Sequence, residues 1–126
     1  MRYFSLPFIQ DQDVAWEAVS PGVRRKIMAY DDTLMLVKAD FEAGGVGPIH
    51  QHFHSQITYI ESGEFAVTIG EETQVLRTGD VYYILPNVPH GATAIQAGVL
   101  LDIFSPIRED FMTAHPAYAP AEKASV

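Results

Sequence analysis

A chain of 126 residues is about the size of one domain, and a hydrophobic content of 48% is enough for an ordinary core, which excludes a disordered chain. The 16 acidic residues outnumber the 8 basic ones, and the resulting net charge of −8 argues against nucleic acid or an anionic membrane surface as a partner. The absence of cysteine excludes disulfides, thiolate metal sites and cysteine nucleophiles.

Short segments rich in Val, Ile, Thr, Tyr and Phe recur along the chain and end at Gly, Pro, Asp or Asn, which is the pattern of β-strands and their turns. The predicted strands are Val23–Tyr30, Leu34–Phe41, Ile57–Glu61, Glu64–Ile69, Val75–Arg77, Val81–Leu85, His90–Gln96 and Val99–Ser105. Such regular spacing is typical of an all-β sandwich or barrel. Asp110–Ala114 is expected to form a short helical turn.

These elements predict three parts of unequal size. Residues 1–20 form an N-terminal segment that adds an edge strand, or a strand exchanged with a partner subunit. Residues 21–112 form the barrel, and residues 113–126, rich in Ala and Pro, form a flexible tail. The one basic run, Arg24-Arg25-Lys26, is expected to be a solvated strand end. No signal peptide or membrane-spanning run is apparent, so we expect a cytoplasmic protein.

Histidines cluster in two short segments of the chain. On a strand, His50 and His52 point to the same face, because side chains alternate with a period of two. Two imidazoles on one inward face, with a further ligand nearby, is a metal-binding arrangement. Gln56 begins the next strand and can turn its amide oxygen inward, and His90 opens a later strand and can complete the set. The predicted metal ligands are therefore His50, His52, Gln56 and His90.

Two further histidines are not part of this set. His54 lies in the intervening loop, and whether it contacts the metal or a substrate is left open by the sequence. His115 lies in the predicted tail, where we expect it to be solvated.

The spacing around these ligands resembles that of the cupins. The stretch from Gln56 to Gly63 is similar to the first cupin motif, and the stretch from Gly79 to His90 is similar to the second. The resemblance implies a double-stranded β-helix, or jelly-roll barrel. Four residues depart from the usual pattern: Gln56 replaces Glu, Leu85 replaces Pro, Asn87 replaces Gly and Ala94 replaces Asn. Asn87 tolerates the left-handed backbone that Gly would supply, so we expect that turn to be kept.

The glutamine affects the charge of the predicted site. Three histidines and a glutamine are all neutral ligands, so a bound divalent ion keeps its full positive charge, which suits a Lewis acid. Donors of this intermediate softness leave the identity of the divalent transition metal open among Ni, Zn, Fe, Mn and Co.

Asp102 lies in an otherwise apolar run near the end of the predicted barrel. Strand alternation places Leu100, Asp102 and Phe104 on one face. If that face is the interior, a carboxylate lies near the metal, where burial and the metal shift its pKa in opposite directions, and it can serve as a general acid–base. Arg108 follows the strand and can fold over the barrel mouth to hold a substrate carboxylate. Alternatively, Asp102 faces water and Arg108 pairs with Glu109 or Asp110; the residues alone leave both open.

From about Gly22 to Phe111 the chain resembles the small pectin-degradation cupins of the KdgF type. The segments that carry the resemblance are Tyr30–Val37, His50–Tyr59, Ser62–Phe65, Pro86–Gly91 and Leu101–Pro106. The resemblance implies metal ligands at the four positions named above and active-site roles for Asp102, Phe104 and Arg108. The resemblance to small cupins also implies that the protein is a homodimer.

The family activity implied by this resemblance is a metal-dependent conversion of 4,5-unsaturated uronates, released by pectin or alginate lyases, to the linear 5-keto-4-deoxyuronate. The expected partner is thus a small anionic sugar acid. Two alternatives stay open: another metal-dependent cupin enzyme, such as a dioxygenase or a sugar-acid isomerase, and a non-catalytic sugar-acid-binding cupin.

Overall fold

The computed structural model describes residues 1–114, and within that range the fold is all-β with one short helix near its end. The strands are β1 (Glu17–Ser20), β2 (Val23–Asp31), β3 (Leu34–Phe41), β4 (Val46–His50), β5 (Ser55–Ile69), β6 (Glu72–Arg77), β7 (Val81–Ile84) and β8 (His90–Ser105). The predicted helical turn forms as helix α1 (Glu109–Ala114). The tail predicted from residue 113 falls, from residue 115 onward, outside the described residues, and so does His115.

All strand pairs are antiparallel, and the sheet has the order β1-β2-β3-β8-β5-β6. Strand β4 also pairs with β8, and β7 pairs with β5. The two longest strands, β5 and β8, therefore hold partners at both ends and curve the sheet into a jelly-roll barrel, as predicted.

Strands β5 and β8 are longer than the sequence pattern indicates. The sequence predicts turns at Ser62-Gly63 and at Ala97-Gly98, but the structure carries both strands straight through, with irregular register near Ser62. The two glycines meet where the strands touch. A Cβ on Gly98 would lie 2.1 Å from the Ser62 carbonyl oxygen and 2.7 Å from the Gly63 Cα. The glycines thus permit a close crossing of two continuous strands.

Apolar side chains fill the barrel in two clusters. On β3, alternate residues are buried and half-exposed, which is the pattern of a strand with one face toward a core. The first cluster is centred on Phe65, whose ring packs edge-to-face on Phe41 at 5.3 Å between centroids. The second includes Met35 and Phe104 and is closed by Met112 of α1.

The N-terminal segment packs on the outside of the barrel. Strand β1 pairs with β2 of the same chain at the sheet edge. The backbone amides of Arg2 and Tyr3 donate to the carboxylate of Asp32 at 2.8 and 2.5 Å. Lys26 donates to the main-chain oxygen of Asp11 at 2.8 Å and also pairs with its carboxylate. Within residues 1–114 no helix is long and apolar enough to cross a membrane.

The expectation that Arg24-Arg25-Lys26 is a solvated strand end is wrong. The side chain of Arg24 is 52% exposed, but those of Arg25 and Lys26 are only 18% and 6% exposed. Lys26 is buried because the N-terminal segment covers its face of β2, where its ammonium lies 4.7 Å from the Trp16 ring centroid. Arg25 points to the opposite face of the strand and lines the barrel interior.

Two phenylalanines, one buried and one exposed, allow the assignment of the core to be tested. Phe65 is fully buried and Phe8 is 90% exposed. We expect Phe65→Ala to lower the free energy of unfolding by about 3–5 kcal/mol, because it leaves a cavity in the barrel core. Phe8→Ala should change it by less than about 0.5 kcal/mol. Urea denaturation followed by circular dichroism measures both, and equal effects would contradict the assigned core.

Candidate metal centre and its cavity

Three histidines converge at one end of the barrel. His50 ends β4 and is the cross-strand partner of His90, which begins β8. One ring nitrogen from each of His50, His52 and His90 lies within 4.8 Å of the others. The expectation that His50 and His52 share a strand face is wrong, because β4 ends at His50 and His52 lies in the following loop. That loop is held by the backbone amide of Asn87, which donates to the His52 carbonyl at 2.7 Å. Asn87 has φ 65°, the left-handed conformation that the sequence predicts for it.

The rings of these histidines are all oriented in the same way by the backbone. In each case Nδ1 lies at hydrogen-bond distance from a main-chain carbonyl: His50 from Pro48 at 2.9 Å, His52 from His54 at 3.1 Å and His90 from Val88 at 2.8 Å. Because a carbonyl oxygen only accepts, Nδ1 carries the proton in each ring and Nε2 presents its lone pair. Metal-binding histidines are typically oriented by such a hydrogen bond from the other ring nitrogen.

Two of these Nε2 atoms, those of His90 and His52, lack a hydrogen-bond donor in the described part of the chain. His90 Nε2 is buried and has no hydrogen-bond partner among residues 1–114. His52 Nε2 lies 3.0 Å from the Gln56 amide oxygen, so two acceptors face each other. Burial lowers the pKa of His52, and it lowers the pKa of His90 to about 4, so both rings are neutral near pH 7. Three imidazole nitrogens and one amide oxygen therefore fit a divalent cation.

Gln56 is held in the orientation that turns its oxygen toward His52. Its amide nitrogen donates to the hydroxyl of Thr58 at 2.9 Å and to Asp102 Oδ1 at 3.4 Å. The opposite amide orientation would place the oxygen against the Asp102 carboxylate. The same side chain thus contacts the histidine cluster through its oxygen and Asp102 through its nitrogen.

Asp102 faces the barrel interior. Its neighbours on that face, Leu100 and Phe104, are 2% and 3% exposed, whereas Ile103 on the other face is 38% exposed. Asp102 Oδ1 accepts hydrogen bonds from Thr58 at 2.6 Å and from Gln56. Burial raises the Asp102 pKa to about 6, although the Thr58 hydrogen bond and the nearby Arg108 charge oppose that shift. Of the two open alternatives for Asp102, the structure shows the inward one.

Arg108 combines the two alternatives considered for it. It is 8% exposed and lines the cavity, yet its Nε and Nη2 donate to the Asp110 carboxylate at 3.0 and 2.8 Å. Its guanidinium carbon lies 4.0 Å from the Phe111 ring centroid and 5.1 Å from that of Phe104. The Phe104 ring in turn packs edge-on against His52, at 5.7 Å between centroids.

A cavity of about 290 Å³ brings the predicted residues together. Six of the seven predicted site residues line it: His50, Gln56, His90, Asp102, Phe104 and Arg108. His52 lines an adjoining groove with His54, and Arg108 borders both spaces. The volume lies at the small end of ligand pockets, which suits a molecule the size of a monosaccharide.

His54 lies beside the cluster and not within it. Its side chain is 5% exposed, and its Nε2 donates to the Ile107 carbonyl at 3.2 Å. The ring stacks on Phe53 and contacts the His52 ring at 5.3 Å between centroids. His54 therefore supports the loop that carries His52.

Two residues of this site are not predicted by the sequence pattern. Thr58 is fully buried and hydrogen-bonds to both Gln56 and Asp102. A signal was present, because Thr58 is the next inward-facing position after Gln56 on β5. Arg25 also lines the cavity, although the sequence pattern assigns it to a solvated run.

The chain is similar in sequence to a known protein family and to a protein of known role. A model of the cupin domain matches residues 37–104, which is more than half of the chain. Over 113 residues the chain is 41% identical to the pectin degradation protein KdgF of Dickeya dadantii strain 3937, covering 88% of this chain and 98% of that protein. The chain is a cupin of the KdgF family.

Solved structures agree with this assignment. A KdgF structure from a Halomonas species matches this KdgF-family chain with a TM-score of 0.81 and 37% identity, over 85% of this chain and 99% of that one. An RmlC-like cupin from Shewanella frigidimarina matches with a TM-score of 0.84 and 38% identity, over 88% and 99% of the two chains. The predicted cupin fold and the resemblance to the KdgF type are thereby confirmed.

The histidine geometry yields a prediction about metal binding by this KdgF-family cupin. We expect the protein to retain about one divalent ion per chain after dialysis, and His90→Ala to lose it, because one of three converging imidazoles is removed. Added metal should raise the melting temperature of the unaltered protein but not that of the variant. Elemental analysis and thermal melts measure both effects.

His54→Ala is the matched control, since it removes a neighbouring buried imidazole outside the cluster. It should keep the metal, although the protein loses some stability. Equal metal loss from both variants would contradict the assignment of the cluster and would place His54 in the site.

Proposed function

We propose that this KdgF-family cupin converts 4,5-unsaturated uronates, products of pectin or alginate lyases, to the linear 5-keto-4-deoxyuronate. The observation that carries the proposal is a partly buried carboxylate, Asp102, in the same small cavity as the converging histidines. The pectin-degradation role of the Dickeya relative supports it. The proposed metal ligands are His50, His52, Gln56 and His90, and the metal is a divalent ion among Ni, Zn, Fe, Mn and Co.

The reaction is an isomerisation, so no water or oxidant is consumed. The substrate is a cyclic hemiacetal whose double bond lies beside the carboxylate. Loss of the anomeric hydroxyl proton and cleavage of the ring carbon–oxygen bond give an aldehyde and an enolate. The enolate then gains a proton on carbon to become the ketone. A catalyst must therefore move protons and stabilise negative charge on oxygen.

A bound divalent metal would supply a Lewis acid that stabilises negative charge on a substrate oxygen. Asp102 is proposed to move the proton, as general base toward the hydroxyl and general acid toward carbon. Its Oδ1 is occupied by Thr58 and Gln56, which leaves Oδ2 for the substrate.

Phe104 and Arg108 are proposed to bind the sugar acid. Phe104 offers an apolar wall that packs on one face of the sugar and excludes water. Arg108 adds positive charge to the same wall, and together with burial, the larger cause, its charge lowers the pKa values of His52 and His90. Since Asp110 holds Nε and Nη2, a substrate carboxylate would use the remaining Nη1 or displace Asp110, whose side chain is 60% exposed.

The decisive experiment adds metal-loaded protein to unsaturated monouronate freshly made by an exolytic lyase. Loss of ultraviolet absorbance from the conjugated double bond is compared with the uncatalysed rate. Acceleration that a chelator abolishes, and that added metal restores, is expected. No acceleration by the metal-loaded protein would refute the proposal and favour a dioxygenase, another sugar-acid isomerase or a non-catalytic sugar-acid-binding cupin. The homodimer and the cytoplasmic location stay predictions.

Asp102→Asn tests the proposed proton transfer. We expect turnover to fall by about 10²- to 10⁴-fold, because the amide cannot exchange a proton in the same way, while the metal content stays unchanged. Asp13→Asn makes the same chemical change on the outer surface and should leave the rate unaltered. Wild-type turnover in Asp102→Asn would remove Asp102 from the mechanism.

A further inference from the structure

We propose that Arg25 is a second substrate-binding cation and that it, more than Arg108, holds the carboxylate of the sugar acid. This role rests on the proposed function and deepens it, because it identifies the residue that binds the substrate carboxylate in the same cavity. It starts from a residue that the sequence pattern assigns to solvent.

The sheet register places Arg25 on the same inward face as Asp102, two strands away. Arg25 on β2 pairs with Ala39 on β3, which pairs with Leu100 on β8, and Asp102 is the next inward residue after Leu100. Strands are about 4.8 Å apart, so Arg25 begins roughly 10 Å from β8, and both side chains point into the same interior. The cavity of about 290 Å³ that both side chains line leaves space for one sugar ring.

The guanidinium of Arg25 is held in place before any substrate binds. Its Nε donates to the Glu17 carboxylate of β1 at 2.6 Å. Its guanidinium carbon lies 3.8 Å from the centroid of the Phe111 ring of α1. A partly buried cation fixed by an ion pair and a ring loses little conformational freedom when it binds a ligand.

The free hydrogen-bond donors distinguish Arg25 from Arg108. In the part of the chain that the structure describes, neither Nη atom of Arg25 has a hydrogen-bond partner. Arg108 has Nε and Nη2 committed to Asp110. A carboxylate is best held by two parallel N–H groups, and the Nη1–Nη2 end of Arg25 presents such a pair.

Both arginines contact the same ring. Their guanidinium carbons are 3.8 and 4.0 Å from the Phe111 centroid. The unpaired Nη1–Nη2 end of Arg25 therefore distinguishes it from Arg108 as the main partner of a substrate carboxylate. Glu17 offsets part of the Arg25 charge, so binding there depends on directed hydrogen bonds.

The test uses D-galacturonate, a saturated uronate that cannot undergo the enol-forming reaction, and its uncharged methyl ester. Binding of each to the metal-loaded protein is measured by calorimetry for the unaltered chain, Arg25→Met and Arg24→Met. We expect Arg25→Met to weaken galacturonate binding about 10- to 100-fold and to change ester binding little, because a charged hydrogen-bond pair is lost only with the acid. Arg24→Met, a change at the adjacent residue on the outer face, should bind both as the unaltered chain does.

A folding defect is kept apart from a binding defect by two further measurements. Metal content and melting temperature are recorded for every variant. Arg25→Lys keeps the charge but not the paired N–H groups, and it should bind galacturonate with intermediate affinity.

The proposal is overturned if Arg25→Met binds galacturonate as tightly as the unaltered chain does, or if the substitution weakens the binding of the acid and of the ester equally. It is also overturned if the unaltered chain does not bind galacturonate. This readout is independent of turnover. If the protein opens the ring but its galacturonate binding does not depend on Arg25, only the role of Arg25 is refuted. If binding depends on Arg25 but no ring opening is observed, only the proposed reaction is refuted. Where ring opening is found, Arg25→Met should raise KM and leave kcat nearly unchanged.

Discussion

The pairing of β5 with β8 is the constraint on which the rest of the structure depends. The two strands pair from Ser55 opposite Ser105 to Ile69 opposite His90. This register makes Gln56 the neighbour of Phe104 and Thr58 the neighbour of Asp102. A slip of one residue would turn these side chains to the outer face of the sheet. The close crossing at Gly63 and Gly98 is what lets both strands run uninterrupted through the barrel.

Gln56 connects the histidine cluster to the Asp102 carboxylate. Its oxygen faces His52 and its nitrogen donates to Thr58 and Asp102. A glutamate at this position, usual in cupins, would place a second carboxylate against Asp102, and the two negative charges would repel each other in a buried space. The amide avoids that repulsion and still offers an oxygen toward the cluster. The departure from the usual motif is thus explained by Asp102, which lies across the sheet from Thr58.

Elements outside the barrel supply part of the cavity wall. Strand β1 contributes Glu17, which fixes Arg25, and helix α1 contributes Phe111, whose ring contacts both Arg25 and Arg108. Phe104 continues this stack of rings and cations toward His52. The charges at the cavity are therefore held by aromatic faces and ion pairs, which keep them oriented in a largely apolar space.

The sequence by itself determined the strand pattern, the cupin spacing and the shared strand face of Asp102 and Phe104, because these follow from local periodicity and from turn residues such as Asn87. It also identified the three converging histidines, although not the loop position of His52. Only the tertiary structure decided that the face of Asp102 is the inward one, that β5 and β8 run through their glycines, and that Arg25 lies inside while Lys26 is covered. The physical reason is that alternation divides a strand into two faces, whereas long-range pairing and the packing of the N-terminal segment decide what each face meets.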